Sequence, residues 1–454
     1  RYLYDETEEY VRPKACEDCI VVRPGTYEEV SEILKWANQE LVPIIPRGGG
    51  TGACGAAIPT EPSVIMSMER FRKIVEVDET NMMITCQTGV TLASLNEYLA
   101  KNVHALYFPC HPGDEGAQVG GMCIENAGGV RAVKHGIMRS YIKGMKVCLP
   151  NGDIVQLGGK LMKNNMGYDL LHLLIGSEGT LGIITELTLK VIPAPKEVIS
   201  LVIPFETLED CIGTVPQFKK NGLDPQALEF MEKAIVQASE RYIGKSVYPQ
   251  KIDGVEAGAY LLVTFDGKTK DELDNIIEEA SEIALEAGAI DVLVADTPAK
   301  IKDAWAARSS FLEAIKAETN WKDGLEMLDE CDVVVPLDKI APYVEYVYGV
   351  GEKFGLRIES FGHAGDGNLH IYIIGADKLS VADFKAKADE FFDDIYAEAT
   401  RVGGLVSGEH AIGSGKLDYL AKSVGPTQMK LMEDIKRVFD PKMILNPGKV
   451  CYKL

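Results

Sequence analysis

Three glycine clusters constrain the fold of this chain most, because each follows a stretch with the composition of a β-strand. Consecutive glycines, which lack a Cβ, let several backbone N–H groups converge on an anion such as a pyrophosphate. One such cluster is more often a tight turn than a ligand site, but three in the first half of the chain favour a site for a long dinucleotide. Their spacing matches neither the G-x-G-x-x-G nor the Walker A pattern. The clusters are Arg47-Gly48-Gly49-Gly50-Thr51-Gly52, the segment with Pro112, Gly113, Gly120, Gly121 and Gly129, and Gly176-Ser177-Glu178-Gly179.

The composition is that of a globular protein with two or three domains, since 46% of the 454 residues are hydrophobic and 25% are charged. The net charge of −21 argues against nucleic acid as a partner, because phosphate binding needs a concentrated basic face. No apolar run approaches the length of about 18 residues that predicts a membrane span. The opening RYLYDETEEY lacks the regions of a secretory signal, so we expect a cytoplasmic protein with reduced cysteines.

Hydrophobic periodicity predicts an α+β fold whose pattern changes near residue 196. Before that point, short strands alternate with short helices, and a capping box at Thr26 predicts the start of one helix. Two strands are expected to flank the Asn151-Gly152 turn. Pro193-Ala194-Pro195 is typical of a domain boundary. Beyond it, strands alternate with longer helices, which indicates a second domain built on a sheet.

The stretch FGHAGDGNLHI contains His363 and His370 on either side of Asp366-Gly367. If that dipeptide forms a two-residue hairpin turn, the two histidines lie directly opposite each other, with Cβ atoms about 4.5–5.5 Å apart. Imidazoles at this distance can chelate one metal ion. Tyr372 would share their face of the sheet, because strand side chains alternate. The alternative is a pair of histidines that pack in a sheet without a metal.

A third ligand is available in the segment that ends in Glu409-His410. If this segment is extended, the two side chains point to opposite sides, so that one can bind a metal while the other faces a substrate. Two histidines and one carboxylate suit zinc or iron(II), with coordination positions left for a substrate.

The motifs PRGGGTG, PGDEGAQVGG, NAGG, GYDLLHLLIGSEGTLGIITE and NPGK resemble the vanillyl-alcohol-oxidase/PCMH superfamily of FAD-binding proteins. Within it, the chain is similar to the branch of glycolate oxidase FAD subunits, D-lactate dehydrogenases and D-2-hydroxyglutarate dehydrogenases. The resemblance implies a PCMH-type FAD-binding domain of two α+β subdomains and an α+β cap domain with an antiparallel sheet. It implies an FAD-binding domain over residues 1–195, a substrate domain with the metal site over 196–415 and a C-terminal segment, 416–454, that returns to the first domain.

The resemblance also assigns roles to residues. It implies that FAD is bound without a covalent link, because the first glycine loop has no histidine. It implies a divalent metal on His363, His370 and Glu409, and His410 as the general base. Tyr372 joins the catalytic group by its position. The cofactor would be held by Arg47, Gly48, Gly49, Gly50, Thr51, Gly52, Pro112, Gly113, Gly120, Gly121, Gly129, Glu178, Ile184 and Asn446.

Arg308 matches the W-x-x-R motif of the family, which implies that it binds the substrate carboxylate. Relatives that oxidise diacids have a basic residue shortly before a D-V-x-V-P strand, where this chain has Glu330. An acidic residue there would repel a second carboxylate, which favours a monocarboxylate such as lactate or glycolate, and D-lactate is the first expectation. Glycolate and D-2-hydroxyglutarate remain alternative substrates, and a non-catalytic flavin subunit is the alternative of another class. We expect the electrons to pass to a soluble partner such as electron-transfer flavoprotein.

Overall fold

The computed structural model describes residues 1–8, 12–318, 328–375 and 379–452, and it confirms the expected α+β class. The strands are β1 (Cys19–Val22), β2 (Ile44–Arg47), β3 (Ser63–Ser67), β4 (Ile74–Asp78), β5 (Met83–Gln87), β6 (Leu106–Tyr107), β7 (Ile142–Cys148), β8 (Ile154–Gly158), β9 (Ile183–Lys190), β10 (Ile192–Pro193), β11 (Glu197–Phe205), β12 (Ala227–Glu232), β13 (Lys251–Ile252), β14 (Val255–Glu256), β15 (Ala259–Gly267), β16 (Leu293–Ala295), β17 (Leu328–Val334), β18 (Leu356–His363) and β19 (Asn368–Gly375).

The helices follow in the same chain order. They are α1 (Tyr27–Glu40), α2 (Leu92–Asn102), α3 (Val119–Glu125), α4 (Ala132–His135), α5 (Leu170–Leu174), α6 (Leu208–Lys220), α7 (Lys233–Ile243), α8 (Lys270–Glu286), α9 (Pro298–Ser309), α10 (Phe311–Glu318), α11 (Ile340–Phe354), α12 (Val381–Arg401) and α13 (Leu417–Phe439). None of the helices in the described ranges is both long enough and apolar enough to cross a bilayer.

The chain folds into two units. Unit 1 comprises Arg1–Gly129, Gly136–Ala194 and Glu409–Leu454, and unit 2 comprises Val130–His135 and Pro195–Gly408. The boundary between Gly136–Ala194 of unit 1 and Pro195–Gly408 of unit 2 lies inside the Pro193-Ala194-Pro195 motif. The last segment of unit 1 begins at Glu409 rather than at Lys416, so both Glu409 and His410 belong to unit 1.

Among the described residues, unit 1 contains a three-stranded sheet, a five-stranded sheet and the two-stranded sheet β10-β6. The two larger sheets agree with the two subdomains expected from the sequence. The three-stranded sheet is parallel, in the order β1-β3-β2, and α1 covers it with Val30 and Leu34. Thr26 caps α1 as predicted, because its hydroxyl accepts a hydrogen bond from the amide of Glu29 at 3.2 Å. The five-stranded sheet is antiparallel, in the order β4-β5-β9-β7-β8.

The predicted β7–β8 hairpin and the last helix of unit 1 are both present in the structure. In the β7–β8 hairpin, Cys148 pairs with Ile154 next to the loop, so the loop around Asn151-Gly152 is longer than a two-residue turn. The last helix, α13, is broken at Gly425, whose φ of +76° is unsuited to a helix. Pro426 then restarts the helix, as expected for a proline in a first helical turn. The carbonyl of Ile444 accepts a hydrogen bond from the amide of Ile44, which joins the C-terminal segment to β2.

Unit 2 is built on a seven-stranded antiparallel sheet in the order β16-β11-β15-β12-β18-β19-β17. Helices α7, α9 and α10 cover one face of this sheet through a cluster of buried apolar residues that includes Ile235, Ala307 and Phe311. Helices α6, α8 and α11 also pack against the sheet. The predicted antiparallel cap sheet is therefore confirmed.

The register of the β18–β19 hairpin differs from the predicted one. His363 pairs with Asn368, and His370 pairs with Phe361, so residues 364–367 form a four-residue loop. The amide of Gly367 donates to the carbonyl of His363 at 3.0 Å, and Gly367 has a φ of +87°. The prediction that His363 and His370 face each other directly is wrong. The two histidines nevertheless share a face, because the register is shifted by two residues and side chains alternate with a period of two.

Candidate functional site

A cleft in unit 1 collects residues of all three glycine clusters. Its empty volume is about 940 Å³, open mouth included, and an adjoining cleft of about 360 Å³ shares Pro46, Gly48 and Gly121 with it. Most of the predicted cofactor residues line one of the two clefts: Arg47, Gly48, Gly49, Gly50, Thr51, Gly52, Pro112, Gly120, Gly121, Glu178, Ile184 and Asn446.

The first glycine cluster offers a row of backbone donors. The amides of Gly48, Gly49, Gly50 and Thr51 donate to no protein group in the described part of the chain. Gly50 has a φ of +80°, and a Cβ on it would lie 2.1 Å from Nη2 of Arg47, so a side chain there would be strained and would displace the Arg47 guanidinium. Several adjacent amides without an acceptor suit an anion such as a pyrophosphate.

The side chain of Arg47 has a different role from the rest of its loop. It is buried, and its Nη2 donates to the carbonyl oxygens of Arg1 and Tyr4 at 3.3 and 2.8 Å. Burial lowers the pKa of this guanidinium. The side chain therefore anchors the N-terminal segment.

Two buried acceptors in the cleft lining fit a ligand that carries donors. Gln118 Oε1 and Asn446 Oδ1 have no hydrogen-bond partner among the described residues. The direction of the Asn446 amide is set by its Nδ2, which donates to the carbonyl oxygens of Ala56 and Glu178 at 3.0 and 2.7 Å. A Cβ on Gly121 would meet no protein atom within 4 Å, so this glycine leaves space for a ligand. Ribityl hydroxyls and ring N–H groups of a flavin dinucleotide supply the matching donors, so the cleft fits FAD.

Glu178 supports the cleft through the backbone that follows His410. Its carboxylate accepts hydrogen bonds from the amides of Ile412 and Gly413 at 2.9 and 2.7 Å. Burial raises the pKa of Glu178 to about 7, although these two amides act in the opposite direction. Glu125 lines the same cleft, and burial raises its pKa to about 8, with a further rise from the charge of Glu178.

Two predicted cofactor residues, Gly113 and Gly129, do not line either cleft in the described structure. Gly129 lies so close to the backbone of His111 that a Cβ would be 2.0 Å from its carbonyl oxygen. Both glycines have a left-handed backbone, with φ of +88° and +104°. They shape the second glycine segment.

Glu409 and His410 both line the cleft of unit 1. The expectation that their side chains point to opposite sides required an extended segment, whereas residues 408–410 form a bend and Ala411 has a φ of +68°. His410 Nε2 lies 3.7 Å from Glu409 Oε1. The Glu409 carboxylate packs on Gly128, where a Cβ would approach Oε2 to 3.2 Å.

His363 and His370 meet at one end of the sheet in unit 2. Both are buried, and their Nε2 atoms are 3.4 Å apart. This separation is long for a hydrogen bond, whose usual length is about 2.9–3.0 Å. Two imidazole nitrogens bound to one tetrahedral metal at about 2.0–2.1 Å would be roughly 3.3–3.4 Å apart. The observed pair therefore fits two ligands of one ion.

Glu229 on β12 binds both His363 and Arg308, and sequence reasoning missed it. Its Oε1 lies 2.7 Å from Nδ1 of His363, and its Oε2 lies 3.0 and 2.6 Å from Nε and Nη2 of Arg308. Burial alone would raise the pKa of Glu229, but the charges and hydrogen bonds of His363 and Arg308 bring this pKa below its ordinary value. The one available signal was a glutamate between apolar residues in the interior of the strand ALEFME.

The remaining predicted residues of unit 2 lie beside this group. Phe361 packs against the Arg308 guanidinium at 4.6 Å and against the ring of His370 at 5.5 Å. Tyr372 is buried and stacks on Phe361, with ring centroids 5.6 Å apart. The side chain of Glu330 lies outside the described part of the chain, so its repulsion of a second substrate carboxylate stays a prediction.

Asp332 is a second site-supporting carboxylate that sequence reasoning did not identify. It is fully buried on β17 and accepts hydrogen bonds from Asn368 Nδ2, Ser407 Oγ and the amide of Gly408 at 2.7, 2.8 and 3.0 Å. Asp332 also pairs with His370 across the strands. The segment that leads into Glu409 is therefore held next to the strand of the histidines within unit 2.

Comparisons with known protein families match both parts of the chain. Residues 194–450 match the C-terminal domain of FAD linked oxidases, and residues 19–158 match an FAD binding domain. These matches extend over most of the described structure.

Two curated relatives cover the whole chain. A protein of Anaerostipes hadrus named D-lactate dehydrogenase is 52% identical over 455 residues, which span 100% of this chain and 93% of that protein. A protein of the same name from Archaeoglobus fulgidus is 42% identical and spans 100% and 96%. Among solved structures, p-cresol methylhydroxylase with substrate bound is 19% identical, with a TM-score of 0.76 over 95% of this chain and 88% of that one. This last likeness shows the PCMH-type fold alone.

Proposed function

Because this chain belongs to the FAD-linked oxidases, we propose that it oxidises a small D-2-hydroxyacid, and D-lactate in the first place, to the 2-oxoacid. The observation that carries this proposal is the 52% identity to a D-lactate dehydrogenase along the entire chain. The site residues agree with it, because Arg308, His363, His370, Glu409 and His410 are all present. Bound FAD would supply the acceptor for the hydride that leaves C2 of the substrate.

The cleft of unit 1 supports non-covalent binding of FAD. Its first loop offers the amides of Gly48 to Thr51, which have no acceptor in the described part of the chain, and no histidine occurs in that loop to form a covalent link. The orphaned acceptors Gln118 Oε1 and Asn446 Oδ1 would receive hydrogen bonds from the cofactor. Release of the yellow chromophore on acid precipitation would support this, whereas retention on the pellet would contradict it.

His363, His370 and Glu409 would bind one divalent cation, iron or zinc. The separation of 3.4 Å between the two Nε2 atoms supports this, and so does Asp332, which holds the residue just before Glu409. Such an ion acts as a Lewis acid that lowers the pKa of a bound hydroxyl group.

His410 and Arg308 would carry out proton transfer and substrate binding. His410 would accept the hydroxyl proton as a general base. Arg308 would bind the substrate carboxylate and so orient C2. Two of its nitrogens are already engaged by Glu229, so the carboxylate would contact the Nη1 side, for which the described residues provide no acceptor.

Anaerobic bleaching of the flavin tests the proposed function directly. Purified protein with FAD and metal is mixed with D-lactate, L-lactate, glycolate or D-2-hydroxyglutarate, and the absorbance of the oxidised flavin is followed. We expect the fastest and most complete loss with D-lactate. Bleaching by glycolate or D-2-hydroxyglutarate alone would assign the protein to those reactions, and no bleaching by any of the four would favour a non-catalytic flavin subunit.

The reduced flavin must then pass its electrons to another molecule, and we expect a partner protein such as electron-transfer flavoprotein. Rapid reoxidation by electron-transfer flavoprotein and slow reoxidation by oxygen would support this expectation. The reverse order would identify the protein as an oxidase.

A further inference from the structure

Glu229 is the point at which the histidine pair and the arginine of unit 2 meet. Its side chain is fully buried, and each carboxylate oxygen has its own partner. Oε1 faces His363 Nδ1 at 2.7 Å, and Oε2 faces Arg308 Nε and Nη2 at 3.0 and 2.6 Å. A carboxylate can only accept hydrogen bonds, so both partners are donors toward it.

The contact with Glu229 decides the protonation pattern of His363. Because Nδ1 donates to the carboxylate, Nδ1 carries a hydrogen, so a ring that has only this one N–H presents the lone pair of Nε2 toward His370 Nε2, which lies 3.4 Å away. Metal-binding histidines in general use such a carboxylate to hold the ring orientation and to raise the basicity of the ligating nitrogen.

The same carboxylate holds the Arg308 guanidinium in place. The guanidinium is nine-tenths buried and lies 4.6 Å above the ring of Phe361 and 5.4 Å from that of Phe311. A buried cation is costly without a counter-charge, and Glu229 provides it. With Nε and Nη2 engaged, the plane of the guanidinium and the direction of its remaining edge are determined.

We propose that Glu229 is a shared positioning residue, which orients His363 for the metal and Arg308 for the substrate carboxylate at the same time. This inference rests on the proposed function of the site. It makes metal binding and carboxylate binding depend on one side chain that contacts neither ligand.

The test uses Glu229→Gln, in which the amide nitrogen opposes one of the two donors. Full-length protein with FAD is stripped of metal and titrated with Zn²⁺ against a chelating dye, and KM and kcat for D-lactate are measured after metal loading. We expect Zn²⁺ affinity to fall about 10- to 100-fold. We also expect KM to rise, because Arg308 is no longer held by a carboxylate.

Glu232→Gln is the matched control. Glu232 is on the same strand and partly buried, but its carboxylate accepts hydrogen bonds from Tyr348 and Ser360 instead of the site residues. We expect this variant to keep the Zn²⁺ affinity and the KM of the parent, even if its melting temperature falls. Equal losses of Zn²⁺ affinity in both variants would overturn the proposal, because they would reflect general destabilisation.

The outcomes separate this inference from the proposed function. A parent protein that binds Zn²⁺ and oxidises D-lactate, together with a Glu229→Gln variant of unchanged Zn²⁺ affinity and KM, would overturn the inference alone. A parent that binds no metal would overturn the proposed metal site and the inference with it. If Glu229→Gln does not fold, the double variant Glu229→Gln/Arg308→Met, which leaves no buried cation, decides in its place: reduced Zn²⁺ affinity supports the proposal and parental affinity overturns it.

Discussion

Replacement of Gly121 by alanine is expected to weaken FAD binding without harming the fold, whereas the same change at Gly120 is expected to harm the fold itself. Both glycines lie in the first turn of α3 and differ by one position. A Cβ on Gly121 would meet no protein atom within 4 Å, and Gly121 lines both clefts. A Cβ on Gly120 would lie 2.6 Å from Thr88 Cβ and 3.0 Å from the Thr88 carbonyl oxygen.

The expected magnitudes follow from these contacts. Alanine is better than glycine in a helix by about 0.5–1 kcal/mol, so Gly121→Ala should slightly stabilise the protein without FAD. Gly120→Ala adds a methyl group to a filled space, which costs about 1–3 kcal/mol. The extra methyl of Gly121→Ala occupies the cleft, and a tenfold or larger loss of FAD affinity corresponds to at least about 1.4 kcal/mol.

The assay measures stability and binding separately. Thermal unfolding of both apo-variants gives the order of stability, and quenching of flavin fluorescence gives the Kd for FAD. Parental FAD affinity in Gly121→Ala would refute the conclusion that the cofactor approaches this glycine. A Gly120→Ala variant more stable than Gly121→Ala would refute the steric reasoning on which both expectations rest.

Three further changes test other parts of the structure. Lys436→Met should lower the free energy of unfolding by about 3–5 kcal/mol, because it removes the cationic partner of the buried Asp440 and hydrogen bonds to two carbonyl oxygens. A variant that adds Asp440→Asn should recover part of this loss. An unchanged denaturant midpoint in Lys436→Met would contradict the role of the pair. Glu178 has an ordinary pKa of 4.5 that is raised to about 7 in the folded state, so the folded chain binds more protons between these values and loses up to about 3 kcal/mol of stability as the pH rises through them. The melting temperature of Glu178→Gln relative to the parent should therefore be higher at pH 8 than at pH 5, and a pH-independent difference would argue against the raised pKa. His410→Asn should slow anaerobic flavin reduction by about 100- to 10,000-fold while FAD and metal contents stay unchanged; full turnover in this variant would show that another group is the base.

Signals between sequence neighbours predicted the local structure well. The capping hydroxyl of Thr26 acts within one helical turn, so the start of α1 was predictable. The shared face of His363 and His370 was predictable for a similar reason, since alternation along a strand survives a register shift of two residues. The register itself was not, because Asp366-Gly367 fits the end of a four-residue loop as well as a two-residue turn.

The support of the site was not predictable from local patterns. Glu229 lies 79 positions from Arg308 and 134 positions from His363, and nothing in the sequence around these residues indicates their contact. Asp332 is likewise separated by 75 positions from Ser407, and its carboxylate accepts a hydrogen bond from the Ser407 hydroxyl. The orientations of Glu409 and His410 depend on a bend that such contacts hold in place.

By itself, the sequence determined the α+β class, the glycine-lined cofactor cleft and the identity of the side chains that could bind a metal, because repeated glycines and alternating apolar residues act through neighbouring backbone groups. Only the tertiary structure decided the register of the histidine hairpin, the turn of Glu409 and His410 toward one cleft, and the carboxylate that His363 and Arg308 share. The shared carboxylate joins residues that are far apart in the sequence. A buried charge without a partner is costly, but the partner comes within reach only when the chain has folded, so local sequence patterns do not reveal it.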